Sequence, residues 1–199
     1  MQVYKISPYG FGCNSFIVTA DGKNAVVIDC ADTSVYDECI KRNLNPVAVL
    51  LTHGHFDHVG GCGTFYKHGV PVYCGEKEKE LIHSPENKGI FGGVYIPEFE
   101  IAKTLTDGES ITLGGVDFKI ISTPGHTVGG VCYLAENCLF TGDTLFCEGI
   151  GRSDLPTGDF PQLIKSIKGL FSLDGDYTIY CGHGQNTTLS HERKHNPYI

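Results

Sequence analysis

The sequence predicts a four-layer αββα sandwich, with two mixed sheets packed face to face and helices on the outside. Three observations lead there. Short apolar runs of β type alternate with helical stretches in the first half, the centre turns to hairpins, and each half passes from strands to helices. Two sheets that share one core and are covered on their outer faces satisfy that pattern. With 199 residues, 41% of them hydrophobic and 19% charged, the chain has enough apolar surface for a sizeable core and is expected to form one domain over 1–199.

In order, Ser15 to Thr19 and Ala25 to Asp29 read as strands, Thr33 to Asn43 as a helix, and Val47 to Thr52 as a buried strand. A short helix through Tyr66 precedes a strand at Val70 to Cys74, and Glu76 to His83 has helical composition. The Gly- and Pro-bearing stretch from Ser84 to Pro97 reads as a long loop or lid, with Phe91 to Phe99 open to use as a subunit contact. Ser110 to Leu113 and Val116 to Ser122 form a hairpin about Gly114-Gly115, and Val131 to Ala135 and Cys138 to Thr141 form another about Glu136-Asn137. A Gly-rich loop leads to a helix from about Phe160 to Leu170, capped by Asp159 with Pro161 in its first turn. Tyr177 to Cys181 is the last strand, and a short polar helix starts near Ser190.

The formal charge of -8 argues against broad phosphate neutralisation, and so against a nucleic-acid partner. No segment approaches the roughly 20 apolar residues of a membrane span, and no basic leader precedes an apolar run, so a cytoplasmic protein is expected. Nine cysteines, an odd number without a CxxC pair, read as reduced, buried thiols in a reducing compartment rather than a disulfide framework.

The segment Thr52-His53-Gly54-His55-Phe56-Asp57-His58-Val59-Gly60-Gly61 follows the apolar strand directly. It puts three imidazoles and a carboxylate at a strand end, where residues two apart point the same way, so His53 and His55 can share one ion. Asp57 and His58, where the chain turns into a helix, approach the same cleft from another angle and suit a second ion; helix capping is the alternative role for Asp57. Thr123-Pro124-Gly125-His126, Thr141-Gly142-Asp143 and Cys181-Gly182-His183 each place a further donor just after a strand, with Gly before it. Those glycines are expected to let the backbone approach an ion closely. Asp143, with two oxygens, can bridge.

This set resembles the metallo-β-lactamase fold superfamily, whose HxHxDH motif and downstream His, Asp and His are matched at 53, 55, 57, 58, 126, 143 and 183. The resemblance implies that His53, His55 and His126 hold one metal, that Asp57, His58 and His183 hold the other, and that Asp143 bridges them. It also places Asp29 behind the ligands, although Asp29-Cys30-Ala31 departs from the usual Asp-Thr-Gly. Gly142-Asp143-Thr144-Leu145-Phe146 and Gly151-Arg152-Ser153-Asp154 are similar to the glyoxalase II and persulfide dioxygenase branch, and true β-lactamases match poorly. The C-terminal helical domain of glyoxalase II has no room here, and Arg152 and Asp154 replace its Lys and Tyr.

The implied activity is that of a single-domain glyoxalase II-like hydrolase that cleaves a thioester, such as a hydroxyacylglutathione, or a related ester. Two divalent ions are implied, zinc first, with iron or manganese as alternatives. A water held between two such ions has its pKa lowered from near 15.7 towards about 7 and attacks a carbonyl without a Ser or Cys nucleophile. Asp57 is the candidate proton relay. Arg152 is the candidate for a substrate carboxylate, with a pair to Asp154 or Asp159 as its other reading. The alternatives are an iron persulfide dioxygenase using His53, His126 and Asp143, or a lactonase. The oligomeric state is not legible.

Overall fold

A computed structural model describes residues 1–7, 12–88 and 95–199. Its first half runs β1 (Gln2–Ile6), β2 (Ser15–Thr19), β3 (Asn24–Ile28), α1 (Ser34–Lys41), β4 (Asn45–Leu50), α2 (Phe56–Val59), α3 (Cys62–Lys67), β5 (Val72–Gly75), α4 (Glu78–Ile82), α5 (Pro85–Lys88) and β6 (Ile101–Leu105). The second runs β7 (Ser110–Leu113), β8 (Val116–Ser122), β9 (Val131–Ala135), β10 (Cys138–Gly142), β11 (Leu145–Phe146), β12 (Gly149–Ile150), α6 (Phe160–Phe171), β13 (Thr178–Cys181), β14 (Thr187–Thr188) and α7 (Leu189–His195).

Two mixed six-stranded sheets result, in the orders β1-β2-β3-β4-β5-β6 and β14-β13-β10-β9-β8-β7, with β11-β12 as a separate ribbon. The period of two along each strand sorts side chains into layers. In β2 to β4, Phe16, Val18, Val26, Ile28, Ala48 and Leu50 face the second sheet and meet Phe118, Ile120, Tyr133 and Phe140. Their alternates Ile17, Val27 and Val49 face outward, under Val35 and Cys39 of α1 and Phe65 of α3. On the opposite outer face, Leu139 and Ile179 lie beneath Leu163, Ile167 and Leu170 of α6. Three apolar interlayer cores separate four layers, which is the expected sandwich.

Asp159 caps α6, its carboxylate accepting from Gln162 N at 3.0 Å, with Pro161 in the first turn. The cysteines are free, and all but Cys147 are buried. No described helix is long and apolar enough to cross a membrane. The loop expected over Ser84 to Pro97 is corrected in part. Pro85–Lys88 is helical, residues 89–94 lie outside the described residues, and Ile96 and Phe99 are buried in the outer core of the first sheet. A buried pair of this kind anchors the end of that stretch.

Candidate metal centre

Four segments meet where inner strands of the two sheets end. The segment after β4 brings His53 to His58, that after β8 brings His126, that after β10 brings Asp143, and that after β13 brings His183. Backbone bonds tie them across the sheets: Val131 N donates to Thr52 O at 2.9 Å, and Gly182 N to Gly142 O at 2.8 Å. All seven donors expected from the sequence converge here.

At one corner, His126 Nε2 lies 2.9 Å from His55 Nδ1 and 3.2 Å from His53 Nε2. Tetrahedral zinc with Zn–N of about 2.0–2.1 Å sets its nitrogens about 3.3 Å apart, so the spacing suits one shared ion. At the other corner, His183 Nε2 is 3.2 Å from Asp57 Oδ2, and Asp57 Oδ2 is 3.8 Å from His58 Nε2. Asp143 touches both: Oδ1 lies 3.3 Å from His58 Nε2, while Oδ2 lies 3.6 Å from His126 Nε2 and 3.4 Å from His183 Nε2.

The imidazoles are oriented from behind. His126 Nδ1 donates to Arg152 O at 2.6 Å and His58 Nδ1 to Asp29 Oδ2 at 2.8 Å, which aims Nε2 of each at the cluster. Thr52 Oγ1 donates to Asp29 Oδ2 at 2.8 Å and therefore accepts from His53 Nδ1 at 3.1 Å, which aims His53 Nε2 in the same way. Asp29 also accepts from Thr52 N at 2.7 Å and holds a left-handed backbone, φ +54°, which Asp tolerates better than most residues. The Cys30-Ala31 departure leaves this supporting role intact. His58 Nε2 and Asp143 Oδ1 are buried without a hydrogen-bond partner. Buried polar atoms of this kind call for a ligand, and a cation fits a lone pair beside a carboxylate oxygen.

Charge divides the two corners. Burial, then His126 and His58, push His55 down to about 3, and burial with the same neighbours lowers His53 well below the usual imidazole range. Burial opposes ionisation of Asp143, yet His58 and His183 outweigh it and hold the carboxyl well below its usual range. Burial likewise opposes protonation of His183, but Asp143 and Asp57 raise it to about 9, and His58 is raised well above its usual range by Cys13 and the surrounding carboxylates. An ion at the His53–His55–His126 corner meets His53 and His55 already neutral at pH 7. One at the Asp57–His58–His183 corner must displace protons. Its affinity is therefore expected to climb with pH up to about 9, by about tenfold per pH unit for each proton displaced, whereas His53 and His55 add no such dependence near neutral pH. Metal titrations across that range, read by competition with a chelator, check this.

Two supporting residues escaped the sequence reading. Glu78 of α4 is fully buried, and its carboxylate accepts from Gly54 N and from Gly129 N, each at 2.7 Å. It thereby pins the residue between His53 and His55 to the segment after His126. Burial pushes its carboxyl up despite those bonds. Asn87 of α5, also fully buried, holds the next peptide unit at the same residue, donating to Gly54 O at 2.7 Å and to Ile82 O at 2.9 Å. Nothing in local spacing marks them, because both contacts are made across the fold.

The glycines before the ligands make room for neighbouring protein atoms. A Cβ at Gly142 (φ +48°) would overlap Thr52, and one at Gly182 would overlap Asp143 Oδ1. Gly182→Ala is expected to push the Asp143 carboxylate out of place and to weaken metal retention by at least about tenfold, measured by chelator competition.

Asp57 is not the cap of α2; His55 occupies that position and Asp57 lies in the first turn. The Arg152 guanidinium forms a two-pronged pair with Asp154, Nε and one terminal nitrogen each 2.7 Å from a carboxylate oxygen. The ion-pair reading therefore describes its side chain here. Cys181 is buried, and burial pushes its thiol up to about 12, which suits core filler rather than a thiolate ligand.

A sandwich of two mixed sheets with a His/Asp cluster at its strand ends defines a class of metal-dependent hydrolases. The chain belongs to the metallo-beta-lactamase superfamily, whose family description matches residues 8–183. A hydroxyacylglutathione hydrolase, GloC, of Haemophilus influenzae is 38% identical, with 100% of this chain and 98% of that protein covered. Among solved structures, the BLEG-1 B3 metallo-beta-lactamase is 34% identical, with 99% of each chain covered and a TM-score of 0.92. TTHA1623, crystallised in a di-iron-bound form, is 29% identical, with 98% of this chain and 100% of that one covered and a TM-score of 0.85. The expected distance from β-lactamases does not hold for the BLEG-1 chain, which matches from end to end.

Proposed function

We propose that this chain is a dinuclear metal-dependent thioester hydrolase acting on a hydroxyacyl-thiol such as a hydroxyacylglutathione. One observation carries the reading: two groups of three donors, His53–His55–His126 and Asp57–His58–His183, share Asp143 between them. In this reading the seven residues are the ligands, Asp143 bridges, and zinc is the first candidate, with iron or manganese as alternatives. The similarity to a hydroxyacylglutathione hydrolase over the full chain supports the substrate class. Two such ions, when bound, polarise a carbonyl and make a water acidic enough to be a nucleophile at neutral pH.

The protein supplies the remainder. Asp29, Thr52 and Arg152 O hold Nδ1 of His58, His53 and His126, so that those rings need not rotate on loading. Asp57, ionised beside His58 and His183, takes the proton released on attack. A leaving thiolate needs little protonation, so the reaction does not require a separate general acid. Arg152 exchanges Asp154 for a carboxylate of the substrate. Arg152→Ala is accordingly expected to raise KM severalfold with kcat nearly kept, the mark of lost uniform binding. The partner is a small molecule, with neither nucleic acid nor membrane involved, and the setting is the cytoplasm.

The experiment is a turnover panel on metal-loaded protein, comprising hydroxyacyl-thioesters, lactones, a β-lactam and a glutathione persulfide followed at an oxygen electrode. Preferential thioester hydrolysis supports the proposal. Faster lactam or lactone opening, or oxygen uptake without hydrolysis, replaces it with the corresponding activity.

A further inference from the structure

Outside the centre, the described residues hold another cluster of mixed donors. Cys147 and Glu148 form the turn between β11 and β12, and His191 lies in the first turn of α7. One ligand atom from each of the three side chains lies within 4.8 Å of the other two. Glu148 Oε1 and His191 Nε2 are 3.0 Å apart, and Gln185 Nε2 donates to Cys147 Sγ at 3.2 Å. One helical turn beyond, the His195 ring centroid lies 4.6 Å from that of His191, and a His pair at i, i+4 can share one ion.

The scaffold beneath is fixed. Buried Glu192 accepts from Glu148 N at 2.9 Å and from Asn196 Nδ2 at 2.9 Å, so it holds the turn to α7. Although His191 and His195 flank it in an H-E-x-x-H pattern, Glu192 points inward and serves the fold.

We propose that Cys147, Glu148 and His191 form a peripheral site for one zinc-class divalent ion, with His195 or a water in the fourth position. A sulfur, a nitrogen and an oxygen donor from two segments over 40 residues apart suit a borderline-soft tetrahedral ion rather than magnesium or calcium, which prefer oxygen alone. On binding, the Cys147 S–H bond breaks, its proton leaves to solvent and a metal–thiolate bond forms, while the Nε2 proton that His191 shares with Glu148 passes to Nδ1 or to solvent and both groups become ligands. The ion cross-links the ribbon that follows Asp143 to α7. Through Gln185, two residues past His183, it also steadies the segment bearing that donor. It braces the rim of the centre without entering it.

The centre's seven donors are nitrogen and oxygen only, so a thiolate signature separates the two sites. The test is cobalt(II) titration of the full-length, metal-free protein, followed by absorption. A near-ultraviolet thiolate-to-cobalt charge-transfer band is expected, whose full height corresponds to one thiolate-bound cobalt per chain once the centre is also filled. It should vanish in Cys147→Ser, need at least about tenfold more cobalt in His191→Ala, and persist in Asp143→Ala. Zinc-loaded Cys147→Ser protein should also carry one ion fewer per chain than the unmodified protein. No band, or a band unchanged in Cys147→Ser, overturns the proposal. Neither readout involves substrate, so its failure is distinct from failure of the hydrolase reading.

Discussion

Asp143→Ala is expected to abolish thioester turnover and to reduce the ions retained at the centre together, rather than one before the other. The reason lies in the two carboxylate oxygens. Oδ1 faces His58, and Oδ2 faces His126 and His183, so a single truncation removes a donor from both corners. Loss on the order of 10³-fold or more in rate is expected, since the interaction that stabilises developing charge goes with the ions. Asp143→Asn separates charge from shape: it keeps the volume and one carbonyl oxygen, and should still lose most activity. His183 reports the local effect. The Asp143 carboxylate is a main cause of its elevation to about 9, so its titration, followed by NMR in metal-free protein, should move down in either variant. Full activity in Asp143→Ala would remove the bridging role.

Glu78→Ala carries the second large effect, on architecture first and metal second. The substitution leaves Gly54 N and Gly129 N buried without an acceptor, at about 1–3 kcal/mol each, so a loss of roughly 2–5 kcal/mol is expected in denaturant unfolding. Gly54 sits between His53 and His55, and Gly129 lies three residues past His126. Metal retention should therefore fall at the corner those three imidazoles form, while the Asp57–His58–His183 corner, supported by Asp29, is largely spared. Asn87→Ala frees the Gly54 and Ile82 carbonyls but leaves both Gly54 N and Gly129 N bonded, and should act in the same direction with a smaller effect. Equal loss at both corners in Glu78→Ala would show that it acts through general instability.

The inner strands β3 and β4 were legible because they bury both faces and carry unbroken apolar sequence, as Val26–Ile28 and Val49–Leu51 do. Of the strands not expected, β1, β6 and β14 are sheet edges, and β11 and β12 form the short separate ribbon. Residues of β1 and β14 are mostly half-buried, and Ala102 and Lys103 in β6 are exposed, so the hydrophobic contrast that marks a strand is weak there. The seven donors stood out because imidazoles and carboxylates after apolar strands have little other use, and each lies where a strand ends. Glu78 and Asn87 did not, since a glutamate in Glu76 to His83 looks like the solvent face of a short helix. Only the tertiary contact with Gly54 distinguishes it. The glycines were found, but not their neighbours: sequence shows that a side chain is absent, not which neighbour would collide with one.

The most direct measurement is hydroxyacyl-thioester hydrolysis followed as metal is titrated into metal-free Cys147→Ser protein, which confines the ions to the centre. If the centre is dinuclear and Asp143 joins its corners, the rate should stay low through the first bound equivalent and rise to its maximum only as the second binds. Full activity at one ion, or no hydrolysis at two, would contradict a two-ion thioester hydrolase.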